Sequence, residues 1–223
     1  MISELSTQQR TLCLEILKNL CSEIGFQRFT RVMRDDQGGF ESYKVALFGE
    51  PGAGRRFECH LTGRHVRLRV DGNSPTGSEF QGPISFGHSS RTENVWASQE
   101  EFADRLFTSL NSDQKARALV AFSGNTTPRC TESDGEDGLP LSDLDETQSR
   151  VAQRLLADVI APFRSRKLEK MLRDDPSLSP LKLTYFRLGK SGNTSWDAWK
   201  LEGSTFEYLL HKTPHVHIWM TIS

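Results

Sequence analysis

The sequence predicts an α+β fold in which an N-terminal and a C-terminal antiparallel meander build the sheet and the helices pack on one side of it. Two observations predict this class: apolar residues recur at helical spacing in some segments, and they alternate with polar residues in two β-rich blocks. Turn residues such as Thr62-Gly63 separate the strands of the first block. We expect one domain over residues 1–223, because neither β-rich block looks self-sufficient.

Capping signals mark the starts of the predicted helices, since the side chains at the N-cap and three residues later satisfy free backbone N–H groups. The first helix is predicted over residues 6–24, with Gly25 as its stop. Residues 123–140 are polar and are predicted to form a long loop, the only plausible boundary between two lobes. The capping pairs are Ser6 with Gln9, Ser98 with Glu101, and Asp145 with Gln148.

Strands are predicted where apolar and polar residues alternate between turn residues. In the segment 65–70, Val66, Leu68 and Val70 share one face because successive side chains point to opposite sides of a strand. The other face of this strand then carries His65, Arg67 and Arg69. The remaining principal strands are predicted at 42–48, 55–61, 181–188, 195–201, 205–211 and 215–222.

The composition argues against nucleic acid and membranes as partners. With 28 basic and 29 acidic side chains the net charge is −1, so no strong field attracts either one. No stretch approaches the roughly 20 apolar residues that span a bilayer. The N-terminus lacks the basic start and apolar run of a secretory signal. We therefore expect a cytoplasmic protein with a small molecule as its partner; the sequence leaves the oligomeric state open.

Three histidines are the strongest candidates for chemistry. The His-x-His pair of His215 and His217 lies on a predicted strand, where alternation puts both rings on one face. We expect His65 from the first meander to join them as a third metal ligand. Glu207 would serve as a further ligand or as the general base. Zinc is the default ion for histidine ligands, and iron and copper remain alternatives.

The register of the last hairpin decides whether these groups meet. A short turn across residues 212–214 would set His215 and His217 opposite His211 and Leu209. Glu207 would then lie on the same face.

Three hypotheses for function follow. The first is a metal-dependent enzyme acting on a small molecule through the histidines. The second is a non-catalytic binding module, in which neutral histidines and Arg67 recognise a ligand and Trp199 helps to wall the pocket. The third is a structural scaffold without a ligand. Whether the protein is an enzyme stays open.

Several segments resemble the domain-of-unknown-function family DUF3500. They are V-A-L-F-G-E-P-G at 45–52, R-R-F-E at 55–58, G-R-H-V-R-L at 63–68, L-x-x-L-D-E-T-Q at 141–148, and H-V-H at 215–217. The resemblance covers nearly the whole chain in order. It implies a shared fold and a shared site at His65, Glu207, His215 and His217, and it names no reaction.

Two departures from the family pattern stand out. A His-His pair of the family reads Arg64-His65 here, so one imidazole is missing. Members often continue beyond H-x-H with a W-R-D segment, whereas this sequence reads Trp219-Met220-Thr221 and ends at Ser223. If that arginine and aspartate take part in the chemistry, the resemblance implies a divergent or inactive member.

Overall fold

A computed structural model describes most of the chain. The described residues are 1–52, 54–74, 77–88, 93–122, 138–165, 168–170, 173, 180–188, 195–212 and 214–222. Within them, the longer helices are α1 (Thr7–Leu20), α2 (Glu23–Asp35), α3 (Ala97–Ser109), α4 (Ser112–Ala118) and α5 (Glu146–Ile160). The strands are β1 (Lys44–Gly49), β2 (Phe57–Thr62), β3 (Val66–Ser74), β4 (Gly77–Phe80), β5 (Ile84–Gly87), β6 (Leu119–Phe122), β7 (Leu139–Pro140), β8 (Lys182–Leu188), β9 (Ala198–Glu202), β10 (Phe206–His211) and β11 (His217–Ile222).

The described strands form one sheet, which confirms the predicted α+β class. Its main path runs β1-β2-β3-β5-β11-β10-β9-β8-β6, with β4 paired to β3 and β7 paired to β8. All pairs are antiparallel except β6 with β8, which is parallel. Alternate residues such as Val66, Leu68 and Tyr208 enter a core shared with helix residues such as Leu106 and Leu155. We call the opposite side, which carries Glu58, Arg67, Arg69, Asp71, Ser85 and His217, the polar face.

The two predicted meanders meet where β5 pairs with β11. Ile218 lies opposite Phe86, and Phe86 on its other side lies opposite Val66 of β3. β5 therefore links the N-terminal strands to the C-terminal strands. The predicted extent of one domain over residues 1–223 stays a prediction, because residues 123–137 of the polar stretch lie outside the described residues.

Gly25 does not end the first helix, contrary to the sequence prediction. α1 already ends at Leu20, and Gly25 lies in the first turn of α2, where the Ser22 hydroxyl accepts a hydrogen bond from its N–H group. A Cβ atom at Gly25 would lie 2.0 Å from the carbonyl oxygen of Pro162. Gly25 thus allows α2 to lie close to the backbone at Pro162, and it does not end a helix.

Capping was predicted correctly for two helices and wrongly for the third. Ser6 and Asp145 cap α1 and α5 as expected. The N-cap of α3 is instead Trp96, without a side-chain cap. The Ser98 hydroxyl donates to Asp158 Oδ2 at 2.7 Å. The side chain of Ser98 therefore bonds to a residue distant in sequence instead of capping a backbone N–H group of α3.

The predicted register of the last hairpin is also wrong. His211 pairs with His217, Leu209 with Trp219, and Glu207 with Thr221. The turn is longer than expected, and His215 lies in it rather than in the strand. Among the described residues, no helix combines the length and the hydropathy needed to cross a membrane.

Candidate histidine site

Four imidazole rings lie side by side at one end of the sheet, and we call them the histidine group: His65, His88, His215 and His217. The ring centroids of His215 and His217 are 4.4 Å apart. His65 lies 5.4 Å from His215 and 6.4 Å from His217, and His88 lies 6.1 Å from His215. Rings from three separate chain segments therefore share one small region.

Strand pairing explains why these rings meet. His65 directly precedes β3, His88 directly follows β5, and His217 opens β11 opposite Gly87. The N–H of Gly87 donates to the carbonyl of His65 at 2.9 Å, and the N–H of His88 donates to the carbonyl of Val216 at 3.3 Å. A Cβ atom at Gly87 would lie 2.1 Å from the oxygen of Val216, so the close strand approach requires glycine here.

A buried carboxylate holds the ring of His65. Asp36 follows the last residue of α2 and is 5% exposed. Its Oδ2 accepts hydrogen bonds from the backbone N–H of His65 at 3.2 Å and from the Tyr43 hydroxyl. Its Oδ1 accepts from Nδ1 of His65. This contact uses Nδ1 of His65 and leaves Nε2 of the same ring for another partner.

The turn before β3 is shaped to make this contact. A Cβ atom at Gly63 would lie 2.1 Å from the ring of Tyr43. Only a residue without a side chain lets that ring pack against the turn. The packing places Tyr43 and His65 on the same carboxylate of Asp36.

Three rings of the histidine group, those of His88, His215 and His217, are favoured in their neutral forms. Burial, followed by the charges of His215 and His65, lowers the pKa of His217 to about 4. Burial also lowers the pKa of His88, with His215 and His65 adding to the shift. The pKa of His215 falls through burial and through the charges of His65 and Arg64. Neutral imidazoles at pH 7 offer lone pairs to a metal or hydrogen bonds to a ligand.

Two ring nitrogens of the histidine group are buried without a hydrogen-bond partner among the described residues. They are Nδ1 of His88 and Nε2 of His215. A buried polar atom usually has a partner, because leaving one unsatisfied costs about 1 to 3 kcal/mol. These two atoms therefore mark a place where a ligand would remove an energetic penalty.

The ring spacing suits a shared ion, although the rings are not oriented around one. Two imidazoles bound tetrahedrally at about 2.1 Å have ring centroids about 5 Å apart. The spacings of 4.4 to 6.4 Å bracket that value. Across the described residues, however, no three His, Cys, Asp or Glu side chains are arranged to hold a metal ion as they stand. Binding would require ring rotations.

A cleft with a volume of about 70 Å³ opens beside the rings on the polar face. Its walls include His65 and His217 together with Arg67, Ser85 and Trp219. Trp219 stacks on His217 with ring centroids 5.8 Å apart and an interplanar angle of 23°. The volume is below the roughly 300 to 1,000 Å³ of typical small-molecule sites, so the cleft suits a ligand of only a few atoms. The predicted ligand contact Arg67 thus lies next to two of the predicted metal ligands.

Residues 1–187 match the family described as protein of unknown function (DUF3500). The chain belongs to the DUF3500 family. The match includes Asp36, His65 and His88 and ends before His215 and His217. No curated protein and no solved structure matches the chain.

Glu207 lies apart from the histidine group of this DUF3500 chain. It pairs with Thr221, four residues along β11 from His217. At about 3.3 Å per residue, four residues correspond to about 13 Å. The base role of Glu207 stays a prediction that this spacing does not support.

Trp199 also lies away from the cleft. It is fully buried in the core on the helix side of the sheet, where it stacks on Tyr208 at 5.2 Å. Trp219, on the polar face, occupies the wall position expected of Trp199.

Sequence reasoning missed two members of the site. Asp36 follows another aspartate at the end of a helix, where the helix dipole disfavours negative charge. That unfavourable position was a signal that Asp36 has a partner elsewhere. His88 follows Gly87 in a glycine- and serine-rich stretch, and nothing local distinguishes it. Only the pairing of β5 with β11 brings it to the other rings.

Proposed function

We propose that the histidine group binds a divalent metal ion, with zinc as the default and iron or copper as alternatives, and that the bound ion acts on a small molecule in the adjoining cleft. The observation that carries this proposal is the pair of buried, unpartnered ring nitrogens of His88 and His215 beside a third ring that a buried carboxylate orients. All these donors are of the nitrogen type that zinc, iron and copper accept.

The contact between Asp36 and His65 supports the proposal independently. Metal-bound histidines commonly donate their second N–H to a carboxylate, which fixes the ring and raises its basicity. His65 would bind through Nε2, His215 through Nε2 and His88 through Nδ1, with His217 as a fourth donor. A bound ion would polarise a substrate oxygen or acidify a bound water.

Neutral rings lower the energetic cost of binding. A protonated imidazole must lose its proton before it can bind a metal. The lowered pKa values of His88, His215 and His217 remove that step at pH 7.

The test is a metal analysis of the purified full chain after incubation with zinc and removal of excess ion. We expect about one zinc per chain and an increase in melting temperature. The double variant His215→Ala with His217→Ala should bind no zinc and show no increase in melting temperature. His60→Ala is the matched control, because His60 lies outside the group and contacts Glu58 at 3.2 Å. Equal zinc in all three proteins, or none in the wild type with zinc, iron or copper, would contradict the proposal.

A second candidate is a non-catalytic module that binds a small ligand without metal. The absence of three converging donors within the described ranges favours it. In this case neutral imidazoles and Arg67 would contact the ligand by hydrogen bonds. Ligand binding by metal-free protein, with no bound metal in the metal analysis, would favour this candidate.

A further inference from the structure

We infer that the cleft beside the histidine group binds a small oxyanion, a carboxylate or a phosphate, through Arg64 and Arg67. The inference rests on the proposed function for the role of this ligand, because it names the substrate class of the same site. The anion contacts themselves come from residues that need no metal. Anion binding and metal binding can therefore be tested separately.

The first argument is that the two arginines of the cleft are unpaired. Neither Arg64 nor Arg67 makes an ion pair or a side-chain hydrogen bond within the described residues, and both are exposed. Arg69, two positions along the same strand face, donates to Glu58 at 3.0 Å and to Asp71 at 3.1 Å. On the same strand face, Arg69 is thus neutralised by carboxylates, whereas Arg67 has no such partner among the described residues.

The second argument is that the described neighbours of Arg67 offer no free carboxylate to neutralise it. The cross-strand neighbours of Arg67 are Thr62 and Ser85, which carry no charge. The carboxylate of Asp36 is buried and already accepts from His65 and Tyr43. A guanidinium remains charged at every physiological pH, so the cleft carries a positive charge that an anion would complement.

The third argument concerns the other walls. Ser85 and the neutral ring of His217 add hydrogen-bonding groups beside Arg67, and Trp219 adds a flat apolar wall. Arginine matches the geometry of carboxylate and phosphate with two parallel hydrogen bonds. The volume of about 70 Å³ leaves room for a small anion of a few atoms.

Trp219 supplies a built-in reporter for the test. The chain has four tryptophans. Trp96, Trp196 and Trp199 are at most 1% exposed, whereas Trp219 is only partly buried and lines the cleft. A ligand in the cleft should therefore change the fluorescence of Trp219 selectively.

The experiment titrates the metal-free full chain with inorganic phosphate and, separately, with acetate at constant ionic strength, and it follows tryptophan fluorescence. We expect saturable binding of at least one of the two anions, and the tighter one identifies the oxyanion class. Arg67→Gln should weaken binding by tenfold or more. Arg69→Gln, the control on the same face, should change it by less than twofold. Trp219→Phe should abolish the signal, and calorimetry on this variant should still detect binding.

The outcomes separate this inference from the proposed function. Saturable anion binding that is retained in the double variant His88→Ala with His215→Ala, whose rings are not among the described walls of the cleft, but lost in Arg67→Gln supports the anion site, whether or not zinc binds. No saturable binding of either anion up to about 20 mM would overturn it. An equal loss in Arg67→Gln and Arg69→Gln would overturn it too, because a general charge effect would then explain the binding. Circular dichroism of each variant confirms that it is folded.

Discussion

The two ends of the polar face differ in whether their charged and polar groups have partners. At one end Arg69 lies between Glu58 and Asp71, and each charge has a partner. At the other end Arg67 lies beside the imidazole rings of His65 and His217, and two buried ring nitrogens have no partner among the described residues. Strands β2 and β3 support both ends, so the fold does not require the difference. Buried ring nitrogens without a partner, next to an arginine without an ion-pair partner in the described part of the chain, are typical of a binding site.

The largest expected effect concerns Asp36, the carboxylate that anchors the histidine end. Asp36→Ala should lower the free energy of unfolding by about 3 to 5 kcal/mol, because it leaves the hydroxyl of Tyr43 and the N–H groups of His65 buried without an acceptor. Urea denaturation measures this loss. Asp36→Asn, which keeps an acceptor oxygen, should lose less.

Asp71→Ala is the corresponding change at the paired end. Asp71 is partly exposed and shares Arg69 with Glu58. We expect a loss below about 1 kcal/mol, as for other surface ion pairs. Equal losses for Asp36→Ala and Asp71→Ala would abolish the contrast between the two ends.

The next effect concerns the turn that positions His65. Gly63→Ala should cost about 2 to 4 kcal/mol, because the new Cβ would overlap the ring of Tyr43. Gly52→Ala is the control, since a Cβ atom there has no neighbour within 4 Å. Thermal and chemical denaturation compare the two. A Gly63→Ala protein as stable as Gly52→Ala would show that the packing of Tyr43 against this turn is not required.

The pH dependence of stability tests the neutral rings. His217 binds a proton below about pH 6.5 in the unfolded chain. In the folded protein its pKa is about 4, so the ring stays neutral down to about pH 4. The free energy of unfolding should therefore be level above pH 6.5 and fall between pH 6.5 and 4. After allowance for solvent screening, this loss is about 1 to 2 kcal/mol.

His217→Gln should remove part of that pH dependence, and denaturation curves at pH 7, 5.5 and 4.5 measure the change. The neighbouring rings of His88 and His215 retain their own lowered pKa values, so some slope remains. An unchanged slope in His217→Gln would mean that the ring of His217 does not titrate as described.

The smallest effect concerns the two arginines themselves. Arg69→Gln should cost up to about 1 kcal/mol, since it removes partly exposed ion pairs. Arg67→Gln should stay within about 0.5 kcal/mol of the wild type, because Arg67 has no partner to lose in the described part of the chain. Denaturation in low salt measures both. A larger loss for Arg67→Gln would assign Arg67 a structural role.

The sequence predicted the fold class well because that information is local. Alternation in β3 and capping at Ser6 and Asp145 depend on residues close together in the chain. The Ser98 cap failed because Asp158 competes for the same hydroxyl. Local patterns cannot show such a distant partner.

The candidate site was predictable in part. His65, His215 and His217 were chosen by type and spacing, and their rings lie within 6.4 Å of one another. Glu207 was placed by assuming a short hairpin, and the longer turn moves it along the strand. Asp36 and His88 depend on the contact between α2 and the turn before β3 and on the pairing of β5 with β11, neither of which leaves a periodic pattern.

The central position of β11 has a consequence for biosynthesis. β11 is the last described strand in the chain, yet it lies in the middle of the sheet, between β5 and β10. During translation the sheet cannot be completed until residue 222 has been synthesised. Until β11 emerges, the edge of β5 that pairs with β11 has no neighbouring strand. The nascent chain therefore exposes an open strand edge, and any cofactor that needs His217 can be acquired only after this strand has left the ribosome.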